Sequence, residues 1–300
     1  MEIKQGVLMM PYLLYMICKD SQPFNIVENE GFQYFTKIIA PQYKLPSRNS
    51  ITRWIDDKYD SLSKLYIQKL KGVENITLTT DISSDNMQMR SFLGITAHFA
   101  INIESYSITL GVYELDMRHT SDYIAEKRLI TCVEWEIGKE TVSAVVTDNA
   151  ANIVKAIDIA FTKRKHIPCF AHTLNLIVQS GLQFKDLQEI ITKMRAIITW
   201  FKQSCIASDA LRKAVPSEKK LIQDVPTRWN STYYMMERFL DLQSFINDTI
   251  IKHKSSPPML SGMELSIVTG VIPVLRPLEA ATKEISAEKY TTSSKVIPLV

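Results

Sequence analysis

Two aspartates, Asp81 and Asp148, stand at the ends of β-branched apolar runs, Ile76-Thr77-Leu78-Thr79-Thr80 before the first and Val145-Val146-Thr147 before the second. Small and polar residues come soon after each of them, Ser83-Ser84-Asp85 beyond Ile82 in the first and Asn149-Ala150-Ala151-Asn152 in the second. Carboxylates at two strand ends can hold a divalent metal, which activates a water or a 3′-hydroxyl for attack on phosphate. Asp is also a favoured turn and cap residue, so the alternative has Asp81 closing a turn and Asp148 capping a helix that starts near Ala150. The repeated strand-acid pattern favours the metal reading for the pair more than for either residue alone.

Three further groups bear chemistry. Cys169 and His172 form a CxxH at a strand-to-helix junction; both are zinc-ligand types, but a tetrahedral site needs four ligands and no second pair is nearby. Buried packing with one hydrogen bond to the imidazole is the preferred role. Arg228 and Trp229 precede a helix expected to be capped by Asn230 or Ser231. The arginine can bind a phosphate bidentately and the tryptophan can stack on an unpaired base, against the preferred alternative of a core tryptophan beside an ion-paired arginine. Lys44, Arg48 and Arg53 open a basic block over 41–72, with seven basic residues against three acids. Such a block is a phosphate-contact surface or a solvated helix face.

Elements that must position these residues follow from periodicity. Helical spacing is expected over 7–18, 29–40 and, capped by Ser47 or Ser50, up to Gly72. The period then shortens: strands at 75–82, 91–102 and 106–115 form a meander, followed by a helix at 120–137, a strand at 142–147, a helix at 150–162, a strand at 166–170 and a helix from near His172. The order β-β-β-α-β-α-β-α predicts an α/β sheet with both faces covered, its first and fourth strands side by side and parallel. From 185 onward only helices are expected, at 185–205, 208–214, 231–253 and 262–287, with Pro216, Pro226, Pro257 and Pro258 at the breaks. The division is therefore 1–72, 73–184 and 185–300.

Composition sets limits. With 300 residues, 46% hydrophobic and 22% charged, a net charge of +3 leaves any nucleic-acid surface to a local patch. Four scattered cysteines and no CxxC argue against a disulfide scaffold and for a reducing compartment. Glu2, an early proline and the lack of a small-residue cleavage site make the start a packed helix rather than a signal peptide. No stretch is expected to reach the roughly 18 apolar residues of a membrane span.

Four segments in this order, TTDISSD (79–85), VVTDNAANI (145–153), IPCFAHTLNLIVQ (167–179) and DVPTRWNSTYYMMERF (224–239), resemble transposases of the hAT superfamily, nearest the domesticated BED-type zinc-finger branch. Residues 20–32 and 43–48 are similar to the region following the BED finger, so the resemblance covers nearly the whole chain. It implies an RNase H-like core preceded by a helical N-terminal region and followed by an all-α insertion. By position, Asp81 and Asp148 match the first two acids of an Asp-Asp-Glu metal site for Mg²⁺, Cys169 and His172 its CxxH, and Arg228 with Trp229 the pair beside the processed DNA end. Ile82 stands where an aromatic residue is usual. The third acid belongs to a Ser-Glu-Arg segment not found here, and Glu279, Glu284 and Glu288 fall where the insertion is expected. Zinc is expected only in the BED finger, which the sequence also does not contain.

The expectation is a middle section of a longer, hAT-derived nuclear protein: DNA-binding, catalytically inactive, with a role in transcription or chromatin. Its full-length form is expected to be a homo-oligomer, with no membrane and no small-molecule substrate. The apolar string at 295–300 is read as the edge of a truncated domain. Two alternatives stand beside it: an active Mg²⁺-dependent transposase whose third acid is encoded downstream, and a protein-interaction scaffold that binds no DNA.

Overall fold

A computed structural model describes residues 2–85, 87–216 and 219–286. Glu288 and the string at 295–300 lie outside the described residues. Three helices come first, α1 (Glu2–Lys19), α2 (Glu30–Ile39) and α3 (Arg48–Leu70). Ser47 caps α3 by accepting a hydrogen bond from the Ser50 backbone N–H at 3.3 Å, satisfying one of the helix's orphan donors. Leu13, Leu14, Ile17, Val27 and Ile51 form the small buried cluster that holds this region together.

The sheet contains β1 (Ile76–Asp85), β2 (Arg90–Ile101), β3 (Glu104–Glu114), β4 (Val142–Thr147) and β5 (His166–Pro168), in spatial order β3-β2-β1-β4-β5. Strands β1 to β3 pair antiparallel, whereas β4 is parallel to β1 and β5 to β4. Alternation along β1 divides its side chains: Ile76, Leu78 and Thr80 are buried, while Thr77, Thr79 and Asp81 point the other way. The buried face meets α4 (Ser121–Glu134) and α5 (Ala151–Ala160) through Ile124, Ala125, Ile153 and Ile157. A cover on both faces was expected; among the described residues the buried core lies against one face alone. The second face carries Thr77, Thr79, Thr96 and His98, all half-buried, and its polar character removes the drive to bury it under another helix.

Helix α6 (Phe170–Leu182) turns away from the sheet. Its Leu174 and Val178 join a second core with α7 (Lys185–Gln203), α8 (Cys205–Ala214), α9 (Trp229–Ile250) and α10 (Gly262–Ile285). Ser261 and Glu264 form a reciprocal capping box at the start of α10. Among the described residues α10 alone is long and apolar enough to cross a membrane by length and composition, although Glu264 and the charges of its second half break any continuous apolar run. Its Val268, Ile272 and Leu275 are buried in the helical core, whereas Met263, Ile267 and Val274 are exposed, and Arg276, Glu279 and Lys283 interrupt its last turns.

Candidate functional site

The parallel strands β1, β4 and β5 end together. Thr79 pairs with Val146, so the same offset carried two residues further sets Asp81 opposite Asp148. Thr147 pairs with Pro168, placing Cys169 beside Asp148, and the Cys169 N–H donates to the Thr147 carbonyl at 2.7 Å. The carboxyl ends of parallel strands are where an open sheet offers a crevice. Here it is a cavity of about 360 Å³ lined by Asp81, Asp148, Cys169, His172 and Gly94 among others. Gly94 sits across from Asp81 in the β1–β2 register and keeps that wall low.

Local hydrogen bonds orient the acids. Asp81 is exposed and its Oδ1 accepts from the Ile82 N–H at 2.9 Å; Asp148 is half-buried and its Oδ1 accepts from the Ala150 N–H at 3.3 Å. Ala150 occupies the cap position of α5 and no side chain caps that helix, so Asp148 steadies the turn before the helix instead of capping it. Hard carboxylate oxygens suit Mg²⁺, which is commonly held by one or two carboxylates plus substrate phosphates. Among the described residues no three His, Cys, Asp or Glu side chains come together as a metal site.

Cys169 and His172 were expected to be buried packing residues. Both are half-buried and line the cavity, because Cys169 takes the N-cap position of α6 and His172 lies in that helix's first turn. Farther along the same face, three and seven residues on from His172, Asn175 accepts from the Trp229 N–H and Gln179 donates to the Pro226 carbonyl, both at 3.3 Å. The loop bearing Arg228 is thereby docked on the helix whose first turn lines the acidic cavity. Asn149 ties the other end, donating to Thr173 at 3.3 Å.

Arg228 is exposed, whereas Trp229 is buried at 1% exposure within the helical core, its ring edge-on to Tyr233. Stacking of Trp229 on a base is corrected by this burial: the indole has no free face. The cap expectation is corrected too. Helix α9 begins at Trp229, and Ser231 lies inside it, its hydroxyl bridging the Val225 N–H and carbonyl and the Arg228 carbonyl. Lys44, Arg48 and Arg53 are exposed around the start of α3, among the N-terminal helices, and none lines the cavity.

One residue escaped the sequence reading. Arg128 of α4 is 1% exposed, its guanidinium donating to the Thr80 hydroxyl at 2.6 Å and toward the Ile153 carbonyl at 3.4 Å. Burial pulls its pKa down to about 10, against the opposing effect of the Asp148 charge. Its signal was an arginine inside the buried stripe Ile124, Ala125, Thr131 and Cys132.

Comparison with known proteins finds relatives of this chain. Residues 167–270 match the family described as the ZBED1 RNase-like helical domain. Zinc finger BED domain-containing protein 4 of Homo sapiens is 29% identical over 95% of the chain and 25% of its own length. Zinc finger BED domain-containing protein 6 of Mus musculus is 28% identical over 96% of the chain and 31% of its own length. The transposable element Hobo transposase of Drosophila melanogaster is 27% identical over 75% of the chain and 36% of its own length. The chain thus spans about a quarter to a third of the length of these relatives.

Proposed function

Because this chain belongs to the hAT transposase superfamily, in its BED-type zinc-finger branch, we propose that it is a DNA-contacting module of a nuclear protein acting in transcription or chromatin, its acidic cleft retained without strand-cleaving activity. The observation that carries this reading is the docking of the loop that bears the exposed Arg228 on α6, the helix whose first turn lines the cleft. A guanidinium held at a helix start can grip a phosphate through two parallel N–H bonds. The basic side chains Lys44, Arg48 and Arg53 supply a second, more diffuse contact.

Such contacts are read by salt. Each phosphate neutralised contributes about 0.9 to the slope of log affinity against log salt concentration. Arg228→Ala is expected to lower that slope by about one, and the triple change Lys44, Arg48 and Arg53→Ala by about three, in a titrated binding assay on a DNA duplex. No DNA affinity of the wild-type chain at low salt sinks the reading.

An active transposase is the second reading, favoured by the convergence of Asp81 and Asp148 on one cavity. Bound Mg²⁺ there would supply nucleophile activation and charge stabilisation. The residues themselves would orient it: Asp81 and Asp148 each hold one oxygen on a backbone N–H and leave the other for the ion, and Gly94 leaves room for a phosphate. On the first reading, the purified chain with Mg²⁺ or Mn²⁺ nicks supercoiled plasmid no faster than its Asp81→Asn and Asp148→Asn variants. Metal-dependent nicking that either substitution abolishes decides for the transposase instead.

A further inference from the structure

We propose that Arg128 is a resident counter-cation of the acidic cleft, offsetting the charge of Asp81 and Asp148 from the opposite face of the sheet and so weakening the cleft's hold on divalent metal. The proposal rests on the reading above that the two aspartates form one cation-binding cleft. Alternation supplies the geometry: Thr80 points into the core while Asp81 points to the cavity, so a side chain bonded to Thr80 lies directly behind the acid pair. The second bond, to the Ile153 carbonyl, anchors the same guanidinium to the helix that follows Asp148.

The packing argument is that this cation has little else to compensate it. No carboxylate among the described residues forms a salt bridge with Arg128, and its Nε has no hydrogen-bond partner there. A guanidinium buried to 1% exposure with an orphan donor is costly unless a nearby negative field offsets it. Asp148 provides that field. Conversely, two carboxylates on adjacent strand ends repel one another unless a positive charge lies close. A metal between them would do this from the cavity side, and Arg128 does it from the core side.

Mn²⁺ binding to the full chain, followed by the loss of the free-ion electron paramagnetic resonance signal, tests the idea without any activity. Arg128→Met is expected to bind Mn²⁺ at least about tenfold more tightly than wild type, a conservative figure for removing a buried unit charge close to a cation site at an effective dielectric near 20. Arg128→Lys, which keeps the charge but not the paired bonds, is expected to stay near wild type. Adding Asp148→Asn to Arg128→Met is expected to erase the gain. Equal affinity in wild type and a folded Arg128→Met, including no binding by either, overturns the proposal and leaves Arg128 a structural tie between β1 and α5. If Arg128→Met does not fold, urea melts of Asp148→Asn decide. Loss of stability supports the counter-cation, and a gain or no change, as expected when acid–acid repulsion dominates or cancels the pairing, overturns it. DNA affinity is measured separately, so failure here is distinguishable from failure of the DNA-contact reading.

Discussion

Trp229→Ala is expected to destabilise the chain by about 3–5 kcal/mol, while Arg228→Ala, one residue away, leaves its melting temperature unchanged and weakens DNA binding. The two side chains face opposite environments. Trp229 opens α9 at 1% exposure within the helical core, its ring edge-on to Tyr233, and truncation there leaves a ring-sized void. A loss of that size lowers the melting temperature by on the order of 10 °C in a chain of this length. Trp229→Phe is expected to cost much less than Trp229→Ala, because the indole Nε1 has no partner among the described residues and no hydrogen bond is forfeited with it. Thermal melts followed by near-ultraviolet circular dichroism make the comparison. If Arg228→Ala melts as early as Trp229→Ala, the arginine belongs to the core argument and its role at DNA falls.

The same adjacent pair marks where sequence stops being informative. An arginine followed by a tryptophan before a helix is compatible with a surface clamp or a core anchor, and only the docking of that loop against Asn175 and Gln179 separates the two. The sheet was more legible. Strict alternation and small polar turns placed β1 to β4 within a few residues, because one apolar face is enough to fix a strand's period and register. The error at the end of β1, which runs on to Asp85, comes from Ser83 and Ser84, polar residues that pair with β2 as readily as they make a turn. Helix α4 stops at Glu134 because Trp135 leaves the helix and donates its indole N–H to the Leu110 carbonyl, a contact between distant segments that no local pattern encodes.

Of the candidate site, the acids and the CxxH were readable as strand-end residues, and their topology followed from the order of elements. What was not readable was which neighbour α6 would choose. Its apolar positions fit a sheet face or a helix bundle equally well, and the choice of the bundle is what leaves Cys169 and His172 lining an open cavity instead of buried beneath a third layer. Arg128 was visible as a charged residue in an apolar stripe but had no meaning until Thr80 and Ile153 were known to lie across from it.

Asp224 carries the other large expected effect. Its carboxylate, 1% exposed, takes a two-pronged hydrogen bond from the Arg195 guanidinium of α7 and a third bond from the Thr232 hydroxyl of α9, at 2.6–3.2 Å. It therefore fastens the start of the Arg228 loop to two helices. Removing one partner of a buried pair leaves the other uncompensated, at a typical cost of 3–5 kcal/mol. Because Arg195 remains a third exposed and can turn to solvent, Asp224→Ala is expected near the lower end, about 3 kcal/mol. Burial pushes the Asp224 pKa up, but the bonds from Arg195 and Thr232 outweigh it and hold the group below the ordinary aspartate value of 3.8. The unfolded chain then binds this proton more readily than the folded one. The stabilisation is accordingly complete above the ordinary value and is lost as pH falls through the lower folded one. Urea melts at pH 7, 4 and 3 should show the gap between wild type and Asp224→Ala narrowing only at the acid end. A gap that persists unchanged at acid pH would mean that Asp224 holds the loop by packing alone. DNA affinity of Asp224→Ala should fall together with that of Arg228→Ala even where the protein remains folded, because the arginine keeps its charge but loses the frame that aims it.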